Sequence, residues 1–593
     1  MQLNLTTHLN EELFKSGEKF LYFGFINAQQ HKIIKEKYNK VDFDTETTLA
    51  KELKERHEYC EKVYQRILTG LTNNLNELHN VKFSERMWEV ILGRWTRDFI
   101  YVAFKNYRFL KNLFEKKNVK KIFTTDTEEF SLLTFDYLSL VYANSEQAWV
   151  EALNSKLIDH LNPNIEIHKI KKTANFVDRF KRKQKKKAKL LSSFLPLLGG
   201  FYNKIFNKKN DAIIYQSGLS FFYEKKLEFA LRQFPKKWKI PDVDYDDNID
   251  VLTRRKLKTK INPNDNFEEF LKKILHLCLP KFIVENFGII NKISEKIFPV
   301  KNPAFVMSGF GFGNEVFNFY IAKNIEKGIP YILVQHGNSY HTHIESNYYI
   351  EAKIADYFLT WGANNKKNQI PIYNFNTIGK NFIFNSSGNL SVICDQVFYT
   401  PSPSPHNGFL RQMRPQDTIS LVNELNENVK IKTYFRLFPK DRLKAHPYFE
   451  ESIKNHNLKI YNKNETYKNI LKKTRLCLFN YDSTGLYENL CLNIPSISYC
   501  KYINEFLNKK YITIYQNLFD AKILFDDKKK LLNHINFVWG DINEWWLDEY
   551  TQEKIRIFNN EVNLPYKNNF NKLVLNLKKI KNTKQYKPKK NGP

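Results

Sequence analysis

Two apolar runs in this chain stop on polar, small residues in the same way. Tyr331–Tyr340 reads YILVQHGNSY, a β-branched stretch ending at Gln335-His336-Gly337. Leu476–Gly485 reads LCLFNYDSTG and leads into a helix-like segment. Each pattern predicts a buried strand that delivers polar groups to its carboxyl end, where ligands bind in open α/β sheets. Residues 303–337 predict strand, Gly-rich turn, helix and strand, a βαβ unit that implies a parallel sheet. Upstream, residues 18–28 predict a first strand and turn. Residues 43–80 place Leu49, Leu53, Val63, Ile67 and Leu71 at helical spacing, and 84–116 form an aromatic helical block. Residues 119–130 predict a strand, a turn and the start of a helix capped by Thr125 or Asp126. Residues 211–234 predict strand, turn and helix, and from Asp356 onward strands and helices alternate again.

The fold class that follows is α/β, with two Rossmann-like domains facing a cleft and helical additions in the N-terminal half. An acceptor-side domain is expected over 1–345, with a basic insertion near 169–209. A donor-binding domain is expected over 346–575, and a disordered basic tail over 576–593. The 593 residues exceed what one core supports. A net charge of +30 favours an anionic partner. The run KRKQKKKAK over Lys181–Lys189 holds seven basic residues in nine. It reads as a solvated insertion or as a contact with an anionic membrane surface. A nucleic-acid partner is not expected, because no recognition module accompanies the run. The six cysteines form no CxxC pair and suit buried thiols of a reducing cytoplasm. No secretory signal and no apolar run of membrane-spanning length is visible. The expected location is cytoplasmic, peripheral on the inner face of the cytoplasmic membrane.

Chemistry concentrates at the strand ends. Ser483, Thr484 and Gly485 open a helix whose free N–H groups favour phosphate, and Glu488 lies one turn further in, where it could accept from ribose hydroxyls. Plain N-capping by Asp482 or Ser483 is the alternative. TYFRLFPKD (433–441) brings Arg436 and Lys440 to the same kind of edge, where Arg forks onto phosphate oxygens and Lys acts as a point charge. His336, between Gln335 and Gly337, is a candidate base or donor to developing charge; a structural histidine is the alternative. Asp126 is a candidate base for an acceptor hydroxyl. His341 and His343 lack a third metal ligand at fixed spacing. GFGFGNE (309–315) departs from the dinucleotide fingerprint and suits a tightly packed turn. No metal or cofactor is expected.

The segments SERMWEVILGRW, IPYILVQHGNSYHTH, FRLFPKD and YDSTGLYENLCLNIPSISY, in this order across nearly the whole chain, resemble a family of transferases encoded in O-antigen and other surface-polysaccharide clusters. More distantly the chain is similar to capsule Kdo transferases and CDP-glycerol glycerophosphotransferases, which have GT-B folds. The resemblance implies transfer of a glycosyl or related group from a nucleotide-activated donor to a glycan or lipid-linked glycan acceptor. In that reading Gln335, Gly337, Arg436, Lys440, Ser483, Thr484, Gly485 and Glu488 bind the donor, and His336 and Asp126 act in catalysis. Phe438-Pro439 stands where the Kdo and sialic acid transferases carry His-Pro, so a CMP-sugar donor is not implied. Two alternatives are a non-catalytic polyanion- or membrane-binding protein and a GT-B-shaped nucleotide-sugar epimerase.

Overall fold

The computed structural model describes residues 3–582, apart from 44–49, 172–209, 258–260, 345–348, 363–365, 395–407, 438–446 and single positions 25, 27, 117, 145, 237, 241, 242, 244, 245, 247, 299, 301 and 383. Lys181–Lys189, Lys440 and His446 lie outside the described residues.

Three sheets organise the chain, and every strand pairing within them is parallel. The first contains β1 (Leu3–Thr6), β2 (Phe20–Tyr22), β3 (Val41–Phe43), β4 (Val119–Asp126) and β5 (Glu166–Lys171), in the order β3-β2-β1-β4-β5. The second contains β6 (Ile213–Ile214), β7 (Val306–Ser308), β8 (Tyr331–Val334), β9 (Tyr357–Thr360) and β10 (Gln369–Pro371), in the order β10-β9-β8-β7-β6. The third contains β11 (Asn389–Ile393), β12 (Thr433–Arg436), β13 (Lys459–Ile460), β14 (Thr474–Phe479), β15 (Ser496–Tyr499) and β16 (Leu524–Phe525). Its order, β13-β12-β11-β14-β15-β16, reverses between β11 and β14. That reversal is the switch point at which doubly wound sheets open a ligand crevice. β7 and β8 are buried at every position. Helices cover both faces of such sheets, which is why these strands read as unbroken apolar runs.

The α/β class with parallel sheets is therefore present, with differences from the sequence reading. The N-terminal third forms a sheet of its own, and its central strand is β1, ahead of the first strand expected at 18–28. β4 runs through Asp126 as strand, so neither Thr125 nor Asp126 caps a helix. The next helix, Tyr137–Ala143, is capped by Asp136, whose carboxylate accepts from Ser139 N–H. The boundary at 345 cuts the second sheet, because β9 and β10 complete it. The tail expected from 576 is helical up to Asn582. In helix Phe570–Asn582, Phe570, Leu573, Leu577 and Ile580 pack against Ile214, Val334 and Leu359 of the second sheet. Each such burial contributes roughly 1.5–3 kcal/mol, enough to hold the helix there. The long helices Ala50–His79 and Glu85–Lys116 pair with each other, and the second carries fully buried Trp88 and Trp95. All six cysteines are free thiols. Among the described residues, no helix is long and apolar enough to cross a membrane.

Candidate active site

The turn after β8 is held from several directions. Gln335 donates from Nε2 to the Gly337 carbonyl (2.9 Å), and its Oε1 accepts from Trp361 N–H (2.8 Å). One end of its amide thus closes the turn and the other ties it to the chain just after β9. Gln335, expected to bind donor, instead shapes the turn, and Gly337 lends it a carbonyl. His336 remains partly accessible, with 11% of its side chain exposed. Its Nε2 stands 3.1 Å from Glu351 Oε2. A carboxylate only accepts, so the Nε2 that faces it carries a proton, and the tautomer that fits this contact has Nδ1 as its acceptor nitrogen. Glu351 also accepts from Tyr340 Oη–H (2.7 Å) and from Arg94 Nη1 (3.0 Å). Arg94 donates as well to the Phe312 carbonyl (2.8 Å) and lies over the Tyr137 ring at 4.4 Å. Phe310 places its ring 4.5 Å from the imidazole. The Gly-rich turn that carries Phe310 needs Gly311 for space. A Cβ on Gly311 would come within 2.6 Å of the Phe317 ring.

The third sheet meets this turn from the other side. Thr484 donates from Oγ1 to Asn338 Oδ1 across 3.3 Å. His343 forms an antiparallel bridge with Leu507, and Asn508 donates to the carbonyls of His341 (2.7 Å) and His343 (2.8 Å). The histidine-bearing and serine–threonine-bearing strand ends are therefore adjacent. Ser483 is buried and caps its own helix, with Oγ accepting from Gly485 N–H at 3.0 Å. This is the capping role weighed against phosphate binding, and Asp482 does not share it. Gly485 is required sterically, since a Cβ there would sit 2.9 Å from the Phe479 ring.

Asp482 instead enters a buried network. It accepts from Tyr515 Oη–H at 2.8 Å, Tyr515 meets Tyr487 at 2.7 Å, and His343 Nε2 lies 3.4 Å from Asp482 Oδ2. Burial pushes Asp482 up from 3.8 to about 7, against the lowering effect of hydrogen bonds from Tyr515 and Asn338. Burial pushes His343 down from 6.5 to about 4. These shifts have opposite consequences for stability. In a His343→Gln protein, Asp482 holds its proton in the folded state where the unfolded chain has released it. Stability is then full below pH 3.8 and is lost as pH rises toward about 7. In an Asp482→Asn protein, the buried neutral His343 gives full stability above pH 6.5, lost as pH falls toward about 4. In the native pair the slopes oppose one another, giving a flat profile across the shared window. Each single variant should show a change of roughly 3 kcal/mol across that window, at about 1.4 kcal/mol per pH unit. Denaturant midpoints against pH check this, and parallel profiles for the two variants would contradict it.

Arg436 ends β12 and lies over the Tyr467 ring at 4.9 Å. Glu488 accepts from Lys380 Nζ at 3.3 Å. Burial raises the Glu488 carboxyl, while Lys380, Asn376 and Arg436 pull it down. Arg436, Lys380 and Glu488 thus share one electrostatic neighbourhood at the carboxyl edge of the third sheet. Lys380 was not singled out in the sequence, although it stands in the segment NTIGKNF. Asp126 is not brought to this junction. It is exposed at the edge of the first sheet, in register with Lys171, and has no side-chain partner among the described residues. Nearby Glu129 is occupied by Arg255 at 3.0 Å. His341, half-buried beside the buried His343, is held near 4 chiefly by desolvation. Among the described residues, no group of three or more His, Cys, Asp or Glu could hold a metal ion. A cavity of about 800 Å³ lies elsewhere, against β16, where Phe525, His534 and Phe537 line it.

Comparison with known proteins places this geometry in context. A sequence model described as LIC12162 family transferase matches residues 3–577. No curated protein matches the chain. Two solved structures of the spinosyn rhamnosyltransferase SpnG, one titled as complexed with spinosyn aglycone, are 12% and 13% identical to it. They cover 50% of this chain and 79% and 80% of their own, with TM-scores of 0.27 and 0.26. That similarity is too low to carry an argument about mechanism.

Proposed function

The chain belongs to the LIC12162 family of transferases, and we propose that it moves a sugar from a nucleotide-activated donor to a surface-polysaccharide acceptor of the O-antigen or capsule kind. The observation that carries this reading is the meeting of two strand-end turns at Asn338 and Thr484. One presents a carboxylate-anchored histidine. The other lies at the switch point of a sheet ordered for nucleotide binding. The arrangement suits a GT-B-like enzyme, with the donor on the third sheet and the acceptor on the second.

Arg436 and Lys380 supply positive charge for the donor phosphates. The start of helix Thr484–Cys491 adds its dipole and its N–H groups not taken by Ser483. Glu488, held by Lys380, accepts from ribose hydroxyls. His336 takes the acceptor hydroxyl proton at Nδ1, or steadies charge on the departing phosphate, while Glu351 holds its opposite nitrogen. Asp126 has no part in this scheme.

A mass-spectrometric screen of the purified protein against a nucleotide-sugar panel, with oligosaccharide acceptors present, tests the reading. A sugar-extended acceptor is expected. Conversion of one nucleotide sugar into its epimer without acceptor would replace it. In calorimetry, Arg436→Ala combined with Lys380→Ala should weaken donor binding about tenfold or more, since each charged hydrogen bond contributes roughly 1.5–3 kcal/mol. Unchanged affinity would remove both residues from the donor site.

A further inference from the structure

Helix Phe221–Ala230 presents an outer face with large exposed aromatic side chains. Its inner face is conventional, with Leu227 fully buried and Leu231 just beyond the helix at 2% exposure, both against the second sheet. On the outer face, Phe222 and Phe229 stand seven residues apart, two helical turns, at 68% and 63% exposure. Phe221 at the helix start is 74% exposed, and Phe234 in the following turn is 43% exposed. Three phenylalanines of one helix are thus more than half exposed. Exposed aromatic surface of this kind marks an interaction site.

The exposed charged side chains within Phe221–Phe234 have one sign. Lys226 and Arg232 are exposed on the same stretch. The carboxylates between Gly218 and Ile240 are Glu224 and Glu228. Glu224 is tied to Ser217 Oγ at 2.9 Å, and Glu228 is buried with Lys225 at 2.7 Å. An aromatic face flanked by the two exposed cations Lys226 and Arg232 suits an anionic lipid surface, where rings enter the interface and basic groups meet headgroups. A second copy of this chain would bring the same cations face to face.

The patch also adjoins the candidate active site. A Cβ on Gly218, three residues before Phe221, would lie 3.5 Å from the Phe310 ring, and Phe310 is itself 53% exposed beside His336. The geometry points to a membrane-docking face, formed by Phe221, Phe222, Phe229 and Phe234 with Lys226 and Arg232, that seats the protein on anionic lipid with the His336 turn beside the bilayer. The docking stands independently of the chemistry. Its corollary, that a lipid-linked acceptor reaches His336 along Phe310, rests on the transfer reading above.

Co-sedimentation of the full chain with vesicles tests the docking without any substrate. Vesicles of phosphatidylglycerol and phosphatidylcholine in equal parts should bind the native protein, and pure phosphatidylcholine should bind it far less. Phe222→Ser with Phe229→Ser should reduce partitioning at least tenfold, with the thermal midpoint and turnover of a water-soluble acceptor unchanged. Undiminished vesicle binding by the double variant would overturn the proposal, as would equal binding to the two vesicle types. A concentration-dependent dimer abolished by the same substitutions, with no vesicle binding, would assign the face to a second copy instead. Failure to find any transfer would leave the vesicle result intact and count against the transfer reading alone.

Discussion

A His336→Ala protein is expected to turn over about 10²- to 10⁴-fold more slowly, the range lost with a positioned acid–base group. Donor affinity and the thermal midpoint should hardly move. His336 lies at the rim of its cluster, and Glu351 keeps Arg94 and Tyr340 when the imidazole is gone. Steady-state and single-turnover kinetics on the acceptor found by screening would measure the effect. A loss confined to KM would mean that His336 only positions substrate. Full activity would return it to the structural role that its Glu351 contact also permits.

Glu351→Ala should have the largest effect on the fold around the site. The carboxylate is 2% exposed and serves His336, Tyr340 and Arg94 together. Removing it takes from the Arg94 guanidinium, 19% exposed, the carboxylate it donates to, leaving the Phe312 carbonyl and the Tyr137 ring. Breaking one side of a buried ion pair costs about 3–5 kcal/mol. Partial exposure places Arg94 near the lower end, so a loss of about 3 kcal/mol in chemical denaturation is expected. Glu351→Gln keeps an acceptor for Tyr340 and His336 and should cost less, while still disturbing His336 through the lost charge. Equal losses in the two variants would mean that the carboxylate charge, absent from both, holds the cluster, and that its packing and its hydrogen bonds to Tyr340 and His336 add little.

The strand ends were legible because burial and termination are both local signals. β8 and β14 are apolar nearly throughout, and each stops at residues that cannot continue a buried strand. β1 was not legible. It alternates Leu3, Asn4, Leu5 and Thr6, and its polar members are buried, Asn4 bonding to Glu18 and Thr6 to the His8 carbonyl. A four-residue central strand with polar residues at every second position leaves no hydrophobic run to read. The Glu351 cluster was hidden for a different reason. Arg94 and Glu351 are separated by 257 positions, and nothing in either segment announces the other. The available hint was a charge set among apolar neighbours, as in GRW and YIEAKI. Asp126 was misplaced because a strand ending in Thr-Thr-Asp resembles a helix cap. The actual cap, Asp136, lies ten residues later. Ser483 was found, but the capping alternative describes its side chain.

The account depends on a nucleotide-activated donor lodging where the second and third sheets touch. Hydrogen exchange with and without the best-binding nucleotide sugar tests this most directly. Protection should appear together in 335–343 and 481–488, on both sides of the Asn338–Thr484 contact. Protection at the β16 cavity or at the edge of the first sheet, with both of these segments unchanged, would contradict it.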